Sequence, residues 1–307
     1  MKGLKDHMEQ RKVLIIYTGG TIGMAGVGPY TNTQEAIRWV LDQADLPDGC
    51  KVVTTERILD SSQLDYLVIG EILELIGRYH KAFDGFVIVG GTDTMAYLQS
   101  CLKWHITGLR KPVLLTGSIR VPSDEPLEGP DNIRKAVEVA LSNPGAGMVG
   151  IVMDGRILLG GTRKANSTAK LPYEESQGSM IQRWWEEKEM EAARMDQEAV
   201  FTEVSSGSIE VLWMQPFVKP SDGLTAGALC LAVYGQGTLP DSEAVLRRIR
   251  NYIGEGKPVV VVSEATVNSL DAGLYEAGGK IRELDLILAP GSFIEEAIGY
   301  LSARIHK

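Results

Sequence analysis

Short apolar runs that end in small residues recur along the first half of the chain and predict the strands of a sheet. The first covers residues 13–17 and precedes a Gly-Gly pair, and the others cover residues 86–91, 113–118 and 148–154. Runs of this length that are apolar throughout are typical of parallel strands buried on both faces. We therefore expect a parallel sheet in this half of the chain.

Two segments with helical spacing lie between these runs. Residues 132–143 combine one apolar stripe with a polar back, and residues 64–80 repeat their apolar side chains at intervals of three and four. Strands that alternate with such helices predict a sheet covered by helices on both faces. In sheets of this kind, ligands bind at the carboxyl ends of the strands.

Residues 173–206 interrupt the alternation, because they are rich in charge and poor in apolar runs. We interpret them as a linker or a partly helical surface segment. The adjacent Trp184 and Trp185 are the exception. Large aromatic side chains in such a setting are more often buried against a domain or a subunit than stacked on a ligand.

The alternation of strands and helices resumes after this segment, and it predicts a second domain. A chain of 307 residues is long for a single core. We predict an α/β fold with a large N-terminal catalytic domain over residues 1–190, a linker over residues 191–207 and a smaller C-terminal α/β domain over residues 208–307. The last of these contains predicted strands at residues 209–217, 228–237, 257–265 and 284–290 and predicted helices at residues 241–256 and 292–305.

Composition and charge narrow the range of partners. The net charge is −9, whereas nucleic acids and anionic membranes require a basic surface. No apolar stretch approaches the roughly 20 residues of a membrane-spanning helix, and the N-terminal residues do not form a secretory signal. We therefore expect a cytoplasmic protein with a small-molecule ligand and with no nucleic-acid or membrane partner. The three cysteines, Cys50, Cys101 and Cys230, are widely spaced and are interpreted as structural thiols.

Three predicted strand ends carry small hydroxyl residues beside glycines. The sequence is TGGT at residues 18–21, GGTDT at residues 90–94 and TGS at residues 116–118. Neither GxxxxGK[ST] nor GxGxxG is present, which argues against a phosphate or dinucleotide site. The four histidines lack the spacing of metal ligands, and the elbow motif GxSxG of serine hydrolases is incomplete. We therefore expect neither a metal nor a cofactor.

The chemistry that remains is that of a threonine hydroxyl with a nearby base. Thr21 follows the first strand, Thr92 and Asp93 follow another, and Lys164 lies in the segment GTRKANST. A hydroxyl is a weak nucleophile until a base removes its proton, and a lysine held by an aspartate is able to do so. Each residue also has a structural interpretation, as a turn threonine, as a helix N-cap at Asp93 before residues 94–104, or as a solvated lysine.

Five segments in order, TGGTIGM, ILDSSQL, DGFVIVGGTDTMAY, KPVLLTGS and GGTRKANST, resemble the bacterial-type L-asparaginase family, closest to its cytoplasmic type I branch. The resemblance implies an amidohydrolase that converts L-asparagine and water to L-aspartate and ammonia through a threonine acyl-enzyme, as a homodimer or homotetramer. A related amidase acting on glutamine, a D-amino-acid amide or a modified asparagine is the alternative. A non-catalytic amino-acid-binding homologue is a third possibility.

The resemblance also assigns roles to residues. Thr21 corresponds to the nucleophile and Tyr30 to the mobile-loop tyrosine that assists it, while Thr92, Asp93 and Lys164 match a second catalytic triad. The implied substrate-binding residues, which hold the α-carboxylate and the ammonium of an amino acid, are Ser61, Ser62, Asp93, Gly20 and Gly91.

Two positions depart from the family pattern. Gly90 stands where a histidine usually precedes GTDT, which leaves less bulk behind the site, and Glu128 stands where an aspartate is usual. The smaller domain also departs from the pattern, because residues 263–269 read SEATVNS in place of the usual polar stretch. Gly90 and this altered domain together motivate the alternative substrates.

Overall fold

The computed structural model describes residues 11–25, 31–123, 127–143, 147–168, 171–220, 226–265 and 286–305, together with residues 223, 267, 270 and 284. The strands are β1 (Val13–Gly19), β2 (Met24–Ala25), β3 (Thr31–Asn32), β4 (Cys50–Leu59), β5 (Gly85–Val89), β6 (Ile106–Thr107), β7 (Val113–Thr116), β8 (Val149–Met153), β9 (Arg156–Leu158), β10 (Thr162–Lys164), β11 (Tyr173–Glu175), β12 (Val200–Phe201), β13 (Ile209–Trp213), β14 (Ala228–Val233), β15 (Val259–Ser263) and β16 (Ile287–Leu288). The helices are α1 (Gln34–Gln43), α2 (Tyr66–Tyr79), α3 (Met95–His105), α4 (Gly129–Ser142), α5 (Met180–Arg194), α6 (Glu243–Gly254) and α7 (Ile294–Ser302).

A six-stranded sheet forms the centre of the N-terminal part, in the order β4-β1-β5-β7-β8-β9. All neighbours are parallel except β8 and β9, which pair antiparallel as a hairpin. The prediction of a parallel sheet is therefore confirmed. Strand β4 has no apolar run in its sequence because it is an edge strand, and most of its side chains are exposed or only partly buried.

Alternate residues of each central strand pack against helices on opposite faces of the sheet. Leu14 and Ile16 of β1 belong to the core cluster that contains α2 and α3. Val13, Ile15 and Tyr17 belong to the cluster that contains α1 and α4. Both faces of each central strand are thus buried, which explains why these strands read as continuous apolar runs.

A second sheet, β13-β14-β15-β16, is parallel throughout and forms the smaller C-terminal part. The α/β fold with a smaller C-terminal sheet is confirmed. Helix α7 packs against α3 of the N-terminal part, where the Ser100 hydroxyl donates to the Glu296 carbonyl oxygen (3.1 Å). The two parts therefore share a core that includes residues from both sheets.

The charged segment contains a regular helix, α5, where a linker or a partly helical segment is predicted. Trp185 is buried, which confirms the prediction for this residue, whereas Trp184 is only partly buried and its ring lies 5.4 Å from that of Tyr300. Helix α5 continues past residue 190, and the domain boundaries themselves stay a prediction.

Candidate active site

Two glycines bring the carboxyl ends of β1 and β5 into backbone contact. Gly20 has φ 84° and ψ 176°, and its N–H donates to the Leu59 carbonyl oxygen (2.8 Å). A Cβ atom on Gly20 would overlap the backbone of Gly91. Only glycine fits there, since the conformation and the close approach both exclude a side chain. Thr21 and Thr92, which follow these glycines, lie at one edge of the sheet.

Lys164 joins two residues of the loop after β5, Thr92 and Asp93. Its Nζ donates to Thr92 Oγ1 (2.9 Å) and forms an ion pair with the Asp93 carboxylate. Thr92 is buried, the Lys164 side chain is 17% exposed, and the Asp93 side chain is 66% exposed. The structure thus brings together three residues that are distant in sequence, with the carboxylate facing solvent and the hydroxyl facing inwards.

The structural interpretation of Asp93 as a helix N-cap does not hold. Helix α3 begins at Met95, its N-cap position is Thr94, and no side chain caps it. The Asp93 carboxylate instead faces Lys164. The interpretation of Lys164 as a solvated charge does not hold either, because its Nζ has two partners in the protein.

Lys164 is carried by a hairpin of β10 and β11, in which its register partner is Tyr173. Thr162 fixes the start of this hairpin, because its hydroxyl donates to Gln99 Oε1 (2.6 Å) within helix α3. The buried Tyr173 hydroxyl donates to the main-chain carbonyl oxygen of Thr92. Sequence reasoning missed Tyr173, because it lies outside every recognisable motif and its position depends on the hairpin register.

The two predicted substrate serines differ in their surroundings. Ser61 lies in a short 3₁₀ turn, its Oγ accepts from the Asp93 N–H (3.4 Å), and its carbonyl oxygen accepts from the Thr94 hydroxyl (2.9 Å). Ser62 is exposed and its hydroxyl donates to the Asp60 carboxylate (2.7 Å). Hydrogen bonds from Ser62 lower the pKa of Asp60. Ser61 therefore contacts the Thr92 loop directly, whereas Ser62 faces away to Asp60.

Thr18 occupies part of the space left by Gly90. Its hydroxyl donates to the Val89 carbonyl oxygen (3.3 Å), and a Cβ atom on Gly90 would lie 2.5 Å from the same Oγ1. A cavity of about 20 Å³ remains behind the glycines, lined partly by the hydroxyl residues Thr18, Ser61 and Thr94. It has room for about one water molecule. The position of the Thr18 hydroxyl therefore explains why residue 90 is a glycine.

Glu128 fixes the loop after β7. Its carboxylate accepts from the Ile119 N–H (3.2 Å), from the Ser118 hydroxyl (3.3 Å) and from the Asn132 side-chain amide (3.3 Å). The longer side chain thus reaches three donors at the carboxyl end of the sheet. These hydrogen bonds indicate that Glu128 stabilises the conformation of the loop after β7.

Two of the predicted catalytic residues have no described contact to this group. Tyr30 lies outside the described residues. Thr21 is half-buried in the 3₁₀ turn Thr21–Gly23. The catalytic and binding roles of all the predicted site residues stay predictions at this point.

The cysteines and acidic residues do not form a competing site in the described part of the chain. Burial raises the pKa of Cys50 and of Cys101 to about 11 and that of Cys230 to about 12, so these thiols stay protonated and are poor nucleophiles. Among the described residues, no three His, Cys, Asp or Glu side chains are grouped to hold a metal ion. None of the described helices has the length and apolar content to cross a membrane.

Comparison with known proteins places the chain in a family. The family described as "Asparaginase, N-terminal" matches residues 12–196. The chain belongs to the asparaginase family. The family match spans both strand ends of the site and Lys164, and the resemblance found in the motifs is confirmed.

Two relatives that are named as L-asparaginases align with nearly the whole chain. L-asparaginase 1 of Escherichia coli (strain K12) is 27% identical over 91% of this chain and 87% of its own length. An L-asparaginase of Thermococcus kodakarensis is 29% identical over 93% of this chain and 90% of its own length. This member of the asparaginase family therefore aligns through its C-terminal part as well.

Solved structures share its fold. The thermostable L-asparaginase from Thermococcus kodakarensis has a TM-score of 0.76 and 23% identity over 96% of this chain and 93% of that chain. A probable cytoplasmic L-asparaginase from Campylobacter jejuni has a TM-score of 0.70 and 19% identity over 96% and 95%. At these identities the likeness concerns the fold alone.

Proposed function

We propose that this protein is an L-asparaginase that hydrolyses L-asparagine to L-aspartate and ammonia through an acyl-enzyme on Thr21. The observation that carries the proposal is the contact of Lys164 Nζ with both the Thr92 hydroxyl and the Asp93 carboxylate, at the strand ends where such sheets bind ligands. The names of the E. coli and Thermococcus relatives support the choice of substrate.

The substrate is an α-amino acid, and the site offers one partner for each of its charges. The Asp93 carboxylate is the most exposed charge of the group, so it is free to bind the substrate ammonium beside Lys164. Ser61 lies against the same loop and supplies a hydroxyl for the α-carboxylate. We propose that an asparagine held in this way presents its side-chain amide to Thr21.

Acylation forms a bond between Thr21 Oγ and the side-chain carbonyl carbon of asparagine. The hydroxyl proton passes to the leaving nitrogen, the C–N bond breaks and ammonia departs. Backbone N–H groups near Thr92 stabilise the oxyanion of the tetrahedral intermediate. In the second half of the reaction, water adds to the ester, the Lys164–Thr92 pair accepts its proton, and Thr21 recovers its hydroxyl.

Two single substitutions test this assignment. Thr21→Ala removes the nucleophile and Lys164→Met removes the base, so each should reduce ammonia release from L-asparagine by at least about 10³-fold while the protein remains folded. Lys51→Met is the matched control, because Lys51 is an exposed lysine at the amino end of β4. Its activity should equal that of the wild type. A Thr21→Ala variant that retains turnover would contradict the assignment.

A second candidate keeps the chemistry and changes the amide. Gly90 and the small cavity behind it favour this alternative, because they alter the volume next to the substrate. Comparison of kcat/KM for L-asparagine, L-glutamine and D-asparagine decides between the two. A kcat/KM for glutamine or D-asparagine above that for L-asparagine would replace the primary assignment.

We also propose a homodimer or homotetramer in the cytoplasm. The Campylobacter neighbour that is named as probable cytoplasmic L-asparaginase supports the location. Light scattering of the purified protein tests the assembly, and a monomeric mass would refute it.

A further inference from the structure

Two contacts connect the β10–β11 hairpin to Thr92. Lys164 Nζ donates to the Thr92 side-chain oxygen (2.9 Å), and the Tyr173 hydroxyl donates to the Thr92 main-chain oxygen. Lys164 and Tyr173 are register partners on the two strands of the hairpin. Neighbouring positions of one hairpin therefore converge on a single residue, one through an amine and one through a phenol.

The Tyr173 hydroxyl keeps its proton at pH values well above neutrality. Burial raises the pKa of Tyr173 far above its ordinary value, and the negative charges of Asp93 and Glu128 add to this effect. The other charged groups nearby are Arg156, whose guanidinium donates to the Tyr173 carbonyl oxygen (3.3 Å), and Arg163, which precedes Lys164. The phenol therefore remains a protonated donor.

The Lys164 contact does depend on protonation. While Lys164 is charged, its attraction to Asp93 holds the amine at the Thr92 loop. When it is neutral, as a base must be, this attraction is lost and only an ordinary hydrogen bond remains. The amine is therefore held least firmly in the state in which it has to accept a proton.

We propose that Tyr173 is a positioning residue that keeps neutral Lys164 on the Thr92 hydroxyl during turnover. This inference rests on the proposed function. Tyr173 acts through the hairpin backbone and the Thr92 carbonyl group and does not touch substrate. Its contribution is largest when the ion pair with Asp93 is absent.

The test compares the effect of Tyr173→Phe in the wild type with its effect in Lys164→Met, using L-asparagine at a single pH. In the wild type the substitution should lower kcat by about tenfold and change KM by less than about twofold. In Lys164→Met, which has no amine to position, it should change the residual kcat by less than about twofold. A folding defect alone would lower kcat equally in both backgrounds. An equal loss in both backgrounds, or no loss in the wild type, would overturn the proposal.

A matched control uses another buried tyrosine hydroxyl. Tyr252 donates to Glu210 in the C-terminal part, far along the chain from the site. Tyr252→Phe should lower the thermal midpoint and leave kcat within about twofold of the wild type. If Tyr173→Phe is not folded, Tyr173→Met replaces it, since the flexible methionine fills the space without a donor.

The outcomes separate this inference from the function on which it rests. A wild type that releases no ammonia from L-asparagine overturns both. An active wild type in which Tyr173→Phe has no effect, or has the same effect with and without Lys164, overturns the role of Tyr173 alone and leaves the assignment of Lys164 intact.

Discussion

Gly20→Ala tests the backbone contact that places Thr21 at the site. The added methyl group would lie 2.7 Å from the Gly90 carbonyl carbon and closer still to the backbone N and Cα of Gly91. The backbone of residue 20, at φ 84° and ψ 176°, also lies in a region that is essentially reserved for glycine. The substitution thus strains the chain and pushes the loops after β1 and β5 apart.

The expected loss follows from these two effects. The disallowed conformation costs about 1–3 kcal/mol, and overpacking against backbone costs about 1–3 kcal/mol more. The free energy of unfolding should therefore fall by about 2–6 kcal/mol. A displacement of Thr21 by about 1 Å should also lower kcat about 100-fold.

Gly256→Ala is the matched control for this change. Gly256 has φ 70°, but no atom lies within 4 Å of the position of its Cβ. Gly256→Ala should lower the free energy of unfolding by about 1–2 kcal/mol and leave kcat unchanged. Urea unfolding and ammonia release from L-asparagine are measured for both variants. The reasoning fails if the two variants lose equal stability and Gly20→Ala keeps kcat within about twofold of the wild type.

Two further predictions concern the packing at Gly90 and the ionisation of the buried Lys103. Gly90→Ala should destabilise the protein by about 1–3 kcal/mol, because the new methyl group overlaps Thr18 Oγ1. Adding Thr18→Ala should recover part of this loss, because the hydroxyl is removed and the remaining Thr18 Cβ lies 3.9 Å from the new methyl group. Additive losses in urea unfolding would contradict this coupling. Lys103 is buried among Glu296, Glu175 and Glu186, and burial lowers its pKa to about 8. Because the unfolded chain binds more protons between about pH 8 and pH 10.5, wild-type stability should rise by about 2 kcal/mol relative to Lys103→Met from pH 7 to pH 9.5. A pH-independent difference between these two proteins would show that Lys103 is not perturbed.

The central strands were predictable because burial on both faces leaves a continuous apolar run. Edge strand β4 was not, since most of its side chains face solvent and follow no simple pattern. Helix α5 was only partly predicted, because its charged residues conceal the short apolar stripe that buries Ile181 and Trp185.

The candidate site was predictable where chemistry requires particular residue types. Asp93 and Lys164 were paired from the needs of a hydroxyl nucleophile, and the structure brings them into contact. The contribution of Tyr173 could not be predicted, because it follows from the register of a hairpin whose two strands are three residues long. The explanation of Gly90 likewise required the position of the Thr18 hydroxyl.

The most direct test of the central claim is to identify the atom that carries the acyl group. The protein is mixed with L-asparagine, quenched in acid during turnover, and examined by intact-mass spectrometry and peptide mapping. We expect a mass increase of one aspartyl group on the peptide that contains Thr21, and no such increase in Thr21→Ala. An aspartyl group on Thr92 or on any other residue would contradict the assignment of Thr21 as the nucleophile.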